Sequence, residues 1–219
     1  MLYEQYDISK IEYYICLCIR FVRGSNKCPK FIGKLSRKLY GPKDNLKRFW
    51  YHKFLNIVIG KYTYGYEFLG TNRIKRIGAF CSIASGSQIV SNHRMDWVST
   101  SPILDNPLFG FCDGDIGYRY FSEEDRKIKI GNDVWIGANC IIFEGVNIGD
   151  GAVIAAGSII RKNVAPYSVV GGVDRILKYR LPEAQIEKML KIQWWNWKDE
   201  VIKNNIHCFY DKEKFLLKD

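Results

Sequence analysis

Residues 130–165 read IGNDVW IGANCI IFEGVN IGDGAV IAAGSI IRKNVA, with isoleucine at 130, 136, 142, 148, 154 and 160. The fifth position of the same hexads holds Val134, Cys140, Val146, Ala152, Ser158 and Val164, all small or β-branched. A period of six suits neither an α-helix, whose apolar positions recur every three to four residues, nor an amphipathic strand, which alternates strictly. It suits short strands joined by tight turns, with the isoleucines of successive turns stacked into one continuous core. Glycine at the second position of three of these six hexads, with Asn, Asp or Gly close behind, is expected to supply the unusual backbone angles of those turns.

The rhythm also occurs upstream as IGAFCS, IASGSQ and IVSNHR, with isoleucine at 77, 83 and 89, and Ile59 lies three hexads earlier in the same phase. Ile89 and Ile130 are 41 residues apart, which is not a multiple of six, so an insertion from about 95 to 129 interrupts the coils. It carries Trp97, Phe109, Phe111, Tyr118, Tyr120 and Phe121, too aromatic for a linker, and is expected to be an ordered arm. The fold expected is an all-β core, a β-helix of hexapeptide repeats over residues 57–180. A basic, aromatic, partly helical extension occupies 1–56 and a helical segment 181–219. In the extension Ile8, Ile11, Ile15, Cys18, Ile19 and Val22 share one helical face, and Ser9 with Glu12 makes a capping box. Beyond Leu181-Pro182, the residues Ile186, Leu190, Trp194, Trp197 and Val201 continue at helical spacing. A solenoid needs its open ends covered, so both helical segments are expected to act as caps.

A chain of 219 residues suffices for one sizeable core and is short for two independent domains. At 47% hydrophobic and 26% charged residues, the composition is that of an ordinary globular protein. The seven cysteines show no CxxC spacing, which points away from a metal site and toward reduced thiols in the cytoplasm. With Glu4 and Asp7 early and no basic region leading into an apolar one, the N-terminus does not read as a secretion signal. No run reaches the roughly 18 to 20 apolar residues that span a bilayer. The balance of 33 Lys and Arg against 23 Asp and Glu, a net charge of +10, favours a polyanionic partner: nucleic acid, acidic lipid, a nucleotide cofactor or an acidic glycan.

Of the three histidines, His52 and His207 have no distinctive context, whereas His93 lies in NHRMDWVSTSP (92–102), where the upstream rhythm breaks off. That stretch, IGNDVWIGANCIIFEGVNIGDGAVIAAGSIIRKNVAPYSVVGG (130–172) and KIQWWNWKDEVI (191–202) occur in the order found in one known family. They resemble the xenobiotic acetyltransferase branch of the hexapeptide-repeat acyltransferases, which contains chloramphenicol and streptogramin acetyltransferases and many capsule and O-antigen O-acetyltransferases. The likeness covers about residues 57–205 and is specific for the family, not for the acceptor.

The resemblance implies a left-handed parallel β-helix, a homotrimer with active sites at subunit interfaces, acetyl-CoA lying in the groove there, and His93 as general base. The chemistry agrees with that choice, because a hydroxyl attacks a thioester poorly unless a base takes its proton in the transition state. By family position the cofactor groove uses Trp135, Ala138 and Ala156 along the pantetheine arm, with Arg161 and Lys162 near the nucleotide phosphates. The family's GGNPAK turn reads GGVDRI here, one residue shorter, which places Arg175 where the lysine would stand. Tyr64, Met95, Asp96 and Trp97 fall on acceptor positions.

Each residue also has a plainer reading. His93 can be a loop histidine bonded to its neighbours, Trp135 can pack between coils, Asp96 can stabilise its own loop, and Arg161 and Lys162 can be solvated charges. The function expected is acetyl-CoA-dependent O-acetyl transfer to a sugar hydroxyl of a cell-surface polysaccharide or its precursor. Residues 20–53 carry ten Lys and Arg before the final lysine, which suits an anionic chain or a membrane-borne acceptor met at the inner face of the membrane. Nucleic acid is not expected, because basic residues at a coil corner lack the stripe that tracks a phosphate backbone. The alternatives are O-acetylation of an antibiotic, chloramphenicol or a streptogramin, and a non-catalytic β-helix scaffold.

Overall fold

The isoleucine heading each hexad ends or fills a very short strand and turns inward, so the strands gather into three sheets. In the computed structural model, which describes residues 2–216 other than 26, 72, 92, 94, 105 and 113–123, the first sheet is β1 (Val58–Ile59), β2 (Ile74–Ile77), β5 (Ile128–Ile130) and β8 (Asn147–Ile148). The second is β3 (Ser82–Ile83), β6 (Trp135–Ile136), β9 (Val153–Ile154) and β11 (Ser168–Gly171), closed by antiparallel β12 (Arg175–Tyr179). The third is β4 (Gln88–Val90), β7 (Ile141–Phe143) and β10 (Ile159–Ile160). Ile130 pairs with Ile148, Ile136 with Ile154 and Ile142 with Ile160, each three hexads apart. One turn therefore visits each sheet once, and the chain winds into a three-sided parallel β-helix.

The core is the first and fifth positions of the hexads. Ile59, Ile77, Ile83, Ile136, Ile142 and Ile154 are buried, and so are Val134, Cys140, Val146, Ala152, Ser158 and Val164. Each buried isoleucine contributes roughly 1.5–3 kcal/mol of transfer free energy. The final turn is tighter: Val164, a fifth-position residue, bridges to Ile148 in the place of a first-position one.

The expectation about the turns needs correction. Left-handed backbone falls at the fourth position, not the second: Phe80, Asp133, Asn139, Gly151 and Gly157 have φ of 60°, 52°, 57°, 67° and 71°. The second-position glycines serve coil spacing instead. A Cβ on Gly131 would stand 2.6 Å from the backbone nitrogen of Asp150, and one on Gly137 would stand 2.5 Å from that of Ala156. The insertion lies between β4, which ends at Val90, and β5, which begins at Ile128. Its described part holds single 3-10 turns at Pro102–Leu104 and Pro107–Phe109, whereas Tyr118, Tyr120 and Phe121 lie outside the described residues.

The N-terminal helices are α1 (Leu2–Gln5), α2 (Lys10–Arg23), α3 (Lys30–Tyr40) and α4 (Asn45–Leu55). The Ser9–Glu12 capping box starts α2 as the sequence indicates. The buried face of α2 differs from the expected one: Cys16 is fully buried, while Ile11 and Val22 are 73% and 82% exposed. Cys16 packs with Ile32, Leu46, Phe49 and Trp50, and because α2 is apolar nearly all round, periodicity alone does not define which side faces this cluster. α4 lies against the first coil, where Tyr51 enters the β-helix core and Arg48 Nε donates to the Ile59 carbonyl at 2.9 Å.

At the other end the expected continuous helix is broken. α5 (Glu183–Ile192) stops at Gln193, whose φ of 45° is left-handed, a 3-10 turn covers Trp194–Asn196, and α6 (Asp199–Asn204) and α7 (Lys212–Leu216) follow. Trp194 and Trp195 are buried with Cys208 and Phe215 against Ala79, whereas Val201 is exposed. These side chains meet the side of the β-helix near its first coils, and the Phe80 and Trp194 rings lie 4.8 Å apart.

Candidate active site

His93 follows β4 by three residues, at the edge where the chain leaves the third sheet. The loop beyond it folds back so that Nδ1 lies 2.8 Å from the Thr100 carbonyl oxygen. A carbonyl only accepts, so Nδ1 carries the hydrogen, and in the neutral ring Nε2 is left with its lone pair. The ring is exposed, and Nε2 can take a proton from a bound hydroxyl. Met95 is 85% exposed, Asp96 is exposed and Trp97 is half-buried; Asn92 and Arg94 lie outside the described residues.

Trp135, Ala138 and Ala156 gather on a different edge. Trp135 points out of the second sheet and is 57% exposed. Ala138 and Ala156 occupy equivalent turns between the second and third sheets, tied by a bond from Gly157 N to the Ala138 carbonyl at 2.8 Å. These small residues leave a strip of nearly bare backbone against which an extended ligand can lie. Tyr64, 60% exposed, bridges to Ser82, which pairs with Trp135 and through it with Val153. Tyr64, Ser82 and Trp135 thus form one outward column, and sequence reasoning misses Ser82 because only strand register reveals it.

Tyr64 also lines a cleft of about 650 Å³ with Tyr62, Tyr66, Phe68 and, from the extension, Arg37 and Asp44. The side chain of Asp44 is nearly buried, and its Oδ1 has no hydrogen-bond partner among the described residues.

The basic residues sit at the last coil. Arg161 and Lys162 follow β10, and Arg175 opens β12. Asp174 occupies the left-handed corner of the GGVDRI turn, accepting from Arg161 N at 2.6 Å, Lys162 N at 3.3 Å and Arg161 Nε at 2.9 Å. Burial works to raise the Asp174 carboxyl, but these bonds outweigh it and hold it below the usual range. The Arg161 guanidinium therefore already has an anionic partner, whereas Lys162 and Arg175 are exposed.

Asp199, at the start of α6, is likewise missed by sequence reasoning. It accepts from Lys61 Nζ at 2.7 Å and Tyr62 OH at 2.8 Å, and Lys43 approaches to 3.3 Å. It therefore ties the extension, the first coil and the C-terminal segment together. Burial pushes its carboxyl up, but the Lys61, Tyr62 and Lys43 bonds prevail and hold it at about 2. Among the described residues no cluster of three or more His, Cys, Asp or Glu could hold a metal ion.

Comparison with known proteins agrees with this architecture. Residues 127–162 match the family described as the hexapeptide repeat of succinyl-transferase. The chain is 41% identical over 151 residues to a probable macrolide acetyltransferase of Lysinibacillus sphaericus, covering 64% of this chain and 78% of that one. It is 35% identical to a chloramphenicol acetyltransferase of Agrobacterium fabrum, covering 68% and 79%. A hexapeptide-repeat acetyltransferase of Vibrio cholerae, solved with acetyl coenzyme A, is 28% identical over 58% of this chain and 62% of that chain, with a TM-score of 0.39. The repeat and these relatives together establish that the chain belongs to the hexapeptide-repeat acetyltransferases, in their xenobiotic acetyltransferase branch, and is an acyltransferase.

Proposed function

We propose that the chain is an acetyl-CoA-dependent O-acetyltransferase with His93 as general base. The observation that carries the reading is the bond between His93 Nδ1 and the Thr100 carbonyl, which fixes the tautomer with a basic Nε2. Nε2 takes the acceptor's hydroxyl proton as that oxygen attacks the thioester carbonyl. The tetrahedral intermediate expels the thiolate, and the imidazolium returns the proton to sulfur. No covalent enzyme intermediate is needed. Ala138 and Ala156 offer the bare strip for the pantetheine arm, and Lys162 and Arg175, exposed and without an ion pair among the described residues, can meet phosphates.

The site is shared between subunits of a homotrimer. His93 lies beyond the third sheet, and Trp135, Ala138 and Ala156 lie before it, so one prism offers the base and the groove on separate edges. A neighbouring copy brings an edge of the other kind to each.

The acceptor is a sugar hydroxyl of a cell-surface polysaccharide or its precursor, and the enzyme works in the cytoplasm, at the inner face of the membrane. What supports a sugar is the cleft beside Tyr64, where the exposed rings of Tyr64 and Phe68 can stack on pyranose C–H faces. The second reading, an antibiotic hydroxyl, is favoured by the macrolide and chloramphenicol acetyltransferases among the relatives.

Mass spectrometry of acetyl transfer from acetyl-CoA to a panel of glycans and drugs separates the two. With the accepted substrate, His93→Ala and His93→Asn should lower kcat by roughly 10²- to 10⁴-fold and leave acetyl-CoA affinity nearly intact, because imidazole acts mainly in the transition state. Wild-type turnover in either variant would remove His93 from the mechanism.

A further inference from the structure

The outward faces of α2 and α3 are apolar and uncovered. On α2, Ile11, Tyr14, Phe21 and Val22 are 73%, 62%, 87% and 82% exposed. On α3, Phe31, Leu35 and Leu39 are 49%, 36% and 53% exposed, spaced by four so that they form one stripe. Both helices are fixed from behind. Cys16 and Ile32 are fully buried in one cluster, Tyr40 OH donates to Glu12 Oε2 at 2.7 Å, and Lys47 N donates to Ser36 Oγ at 3.0 Å. The exposed faces are therefore a set surface of the fold rather than frayed chain.

Charge decides what covers them. Between Glu12 and Asp44 the chain has eight Lys and Arg and no Asp or Glu. On α3 the exposed Lys30, Lys34 and Lys38 run beside the Phe31–Leu35–Leu39 stripe, while Arg20 and Arg23 end α2. Glu12 is already engaged by Ser9 and Tyr40. A second copy of the same face would bring cations against cations, and an acidic glycan would leave the apolar rows in water. An anionic bilayer surface meets both needs: its acyl boundary takes Phe21, Val22 and Phe31, and its phosphates take the lysine ammoniums, whose long stems reach outward. At 14 residues α2 is about 21 Å long, short of the roughly 30 Å hydrocarbon core, and among the described residues no helix can cross a membrane.

We propose that α2 and α3 dock the protein on an anionic lipid surface, lying in its plane with their apolar rows at the acyl boundary. This goes beyond the acetyl-transfer reading and does not depend on it. Flotation of the full chain with vesicles of phosphatidylcholine and phosphatidylglycerol, against phosphatidylcholine alone, tests it without any assay of activity. Binding to the anionic vesicles should be at least about tenfold tighter than to the neutral ones and should weaken with salt. The exposed-face variant Phe21→Ser/Val22→Ser/Phe31→Ser should bind at least about tenfold more weakly with unchanged circular dichroism. Lys30→Glu/Lys34→Glu/Lys38→Glu, which keeps the apolar rows, should lose the preference for anionic lipid. Failure of the wild-type chain to float, or binding unaffected by the apolar substitutions, overturns the proposal. So does an apolar-face variant that dissociates an oligomer while lipid binding persists, because the face would then belong to a subunit contact.

Discussion

Asp199 shows how much one side chain can organise. Its carboxylate meets Lys43 of the extension, Lys61 and Tyr62 of the first coil, and begins α6. Its folded carboxyl titrates at about 2 against an ordinary value of 3.8, so the stabilisation it provides is present above about pH 4 and disappears as pH falls through 2. Asp199→Asn should therefore lower stability at neutral pH by about 1–3 kcal/mol, partly by leaving Lys61 without its anion, while Lys43 keeps Asp7 at 3.3 Å. The gap from wild type, read by urea denaturation across pH, should narrow below pH 4 and close near pH 2; a pH-independent gap would refute the assignment. Nothing in the sequence marks Asp199, because its partners lie more than a hundred residues away. His93 is the opposite case: its position is legible from the NHRMD stretch, yet its tautomer is not, since the Thr100 carbonyl reaches Nδ1 only when the loop folds back.

At the scale of elements, the isoleucine period is enough to locate the strands because one residue type faces the core at each turn of every coil. The same periodicity fails wherever both sides of a helix are apolar, as in α2, or where a left-handed residue breaks helical spacing, as Gln193 does. Glycines serve two purposes that the letter alone does not distinguish, left-handed backbone and close approach, and Gly151 combines them. Gly157, at a fourth position with φ of 71°, has nothing within 4 Å of the point where a Cβ would stand, and Asn139 adopts the same conformation in an equivalent hexad. Gly131, at a second position, would drive its Cβ to 2.6 Å from the Asp150 backbone. Gly157→Asn should consequently be nearly neutral, because asparagine tolerates the left-handed region. Gly131→Asn should cost about 1–3 kcal/mol or more by forcing adjacent coils apart. Denaturant midpoints of the two variants test this, and equal losses would show that spacing is not what Gly131 provides.

For the whole molecule, the three-sided shape separates groups that the proposed chemistry needs close together. The imidazole of His93 sits past β4, while the strip made by Ala138 and Ala156 lies on the edge leading into β7 and β10. Strands of the third sheet stand between them, which is why the proposed site is a shared one, in which a donor along the strip of one prism would reach the histidine of another. The insertion adds a second reason for assembly. Met95, Val98, Leu108 and Phe111 are all strongly exposed, and apolar surface of this kind on a folded chain marks an interaction site. In the proposed trimer, three copies around one axis would give each arm a neighbour and make three identical sites in a closed arrangement. Light scattering should accordingly find a single species of three chain masses. Replacing Leu108 and Phe111 by Ser should shift it toward monomer and lower acetyl transfer, with the far-ultraviolet circular dichroism of the β-helix retained. Full activity in a verified monomer would place the base and the groove on one chain and rule out the shared site.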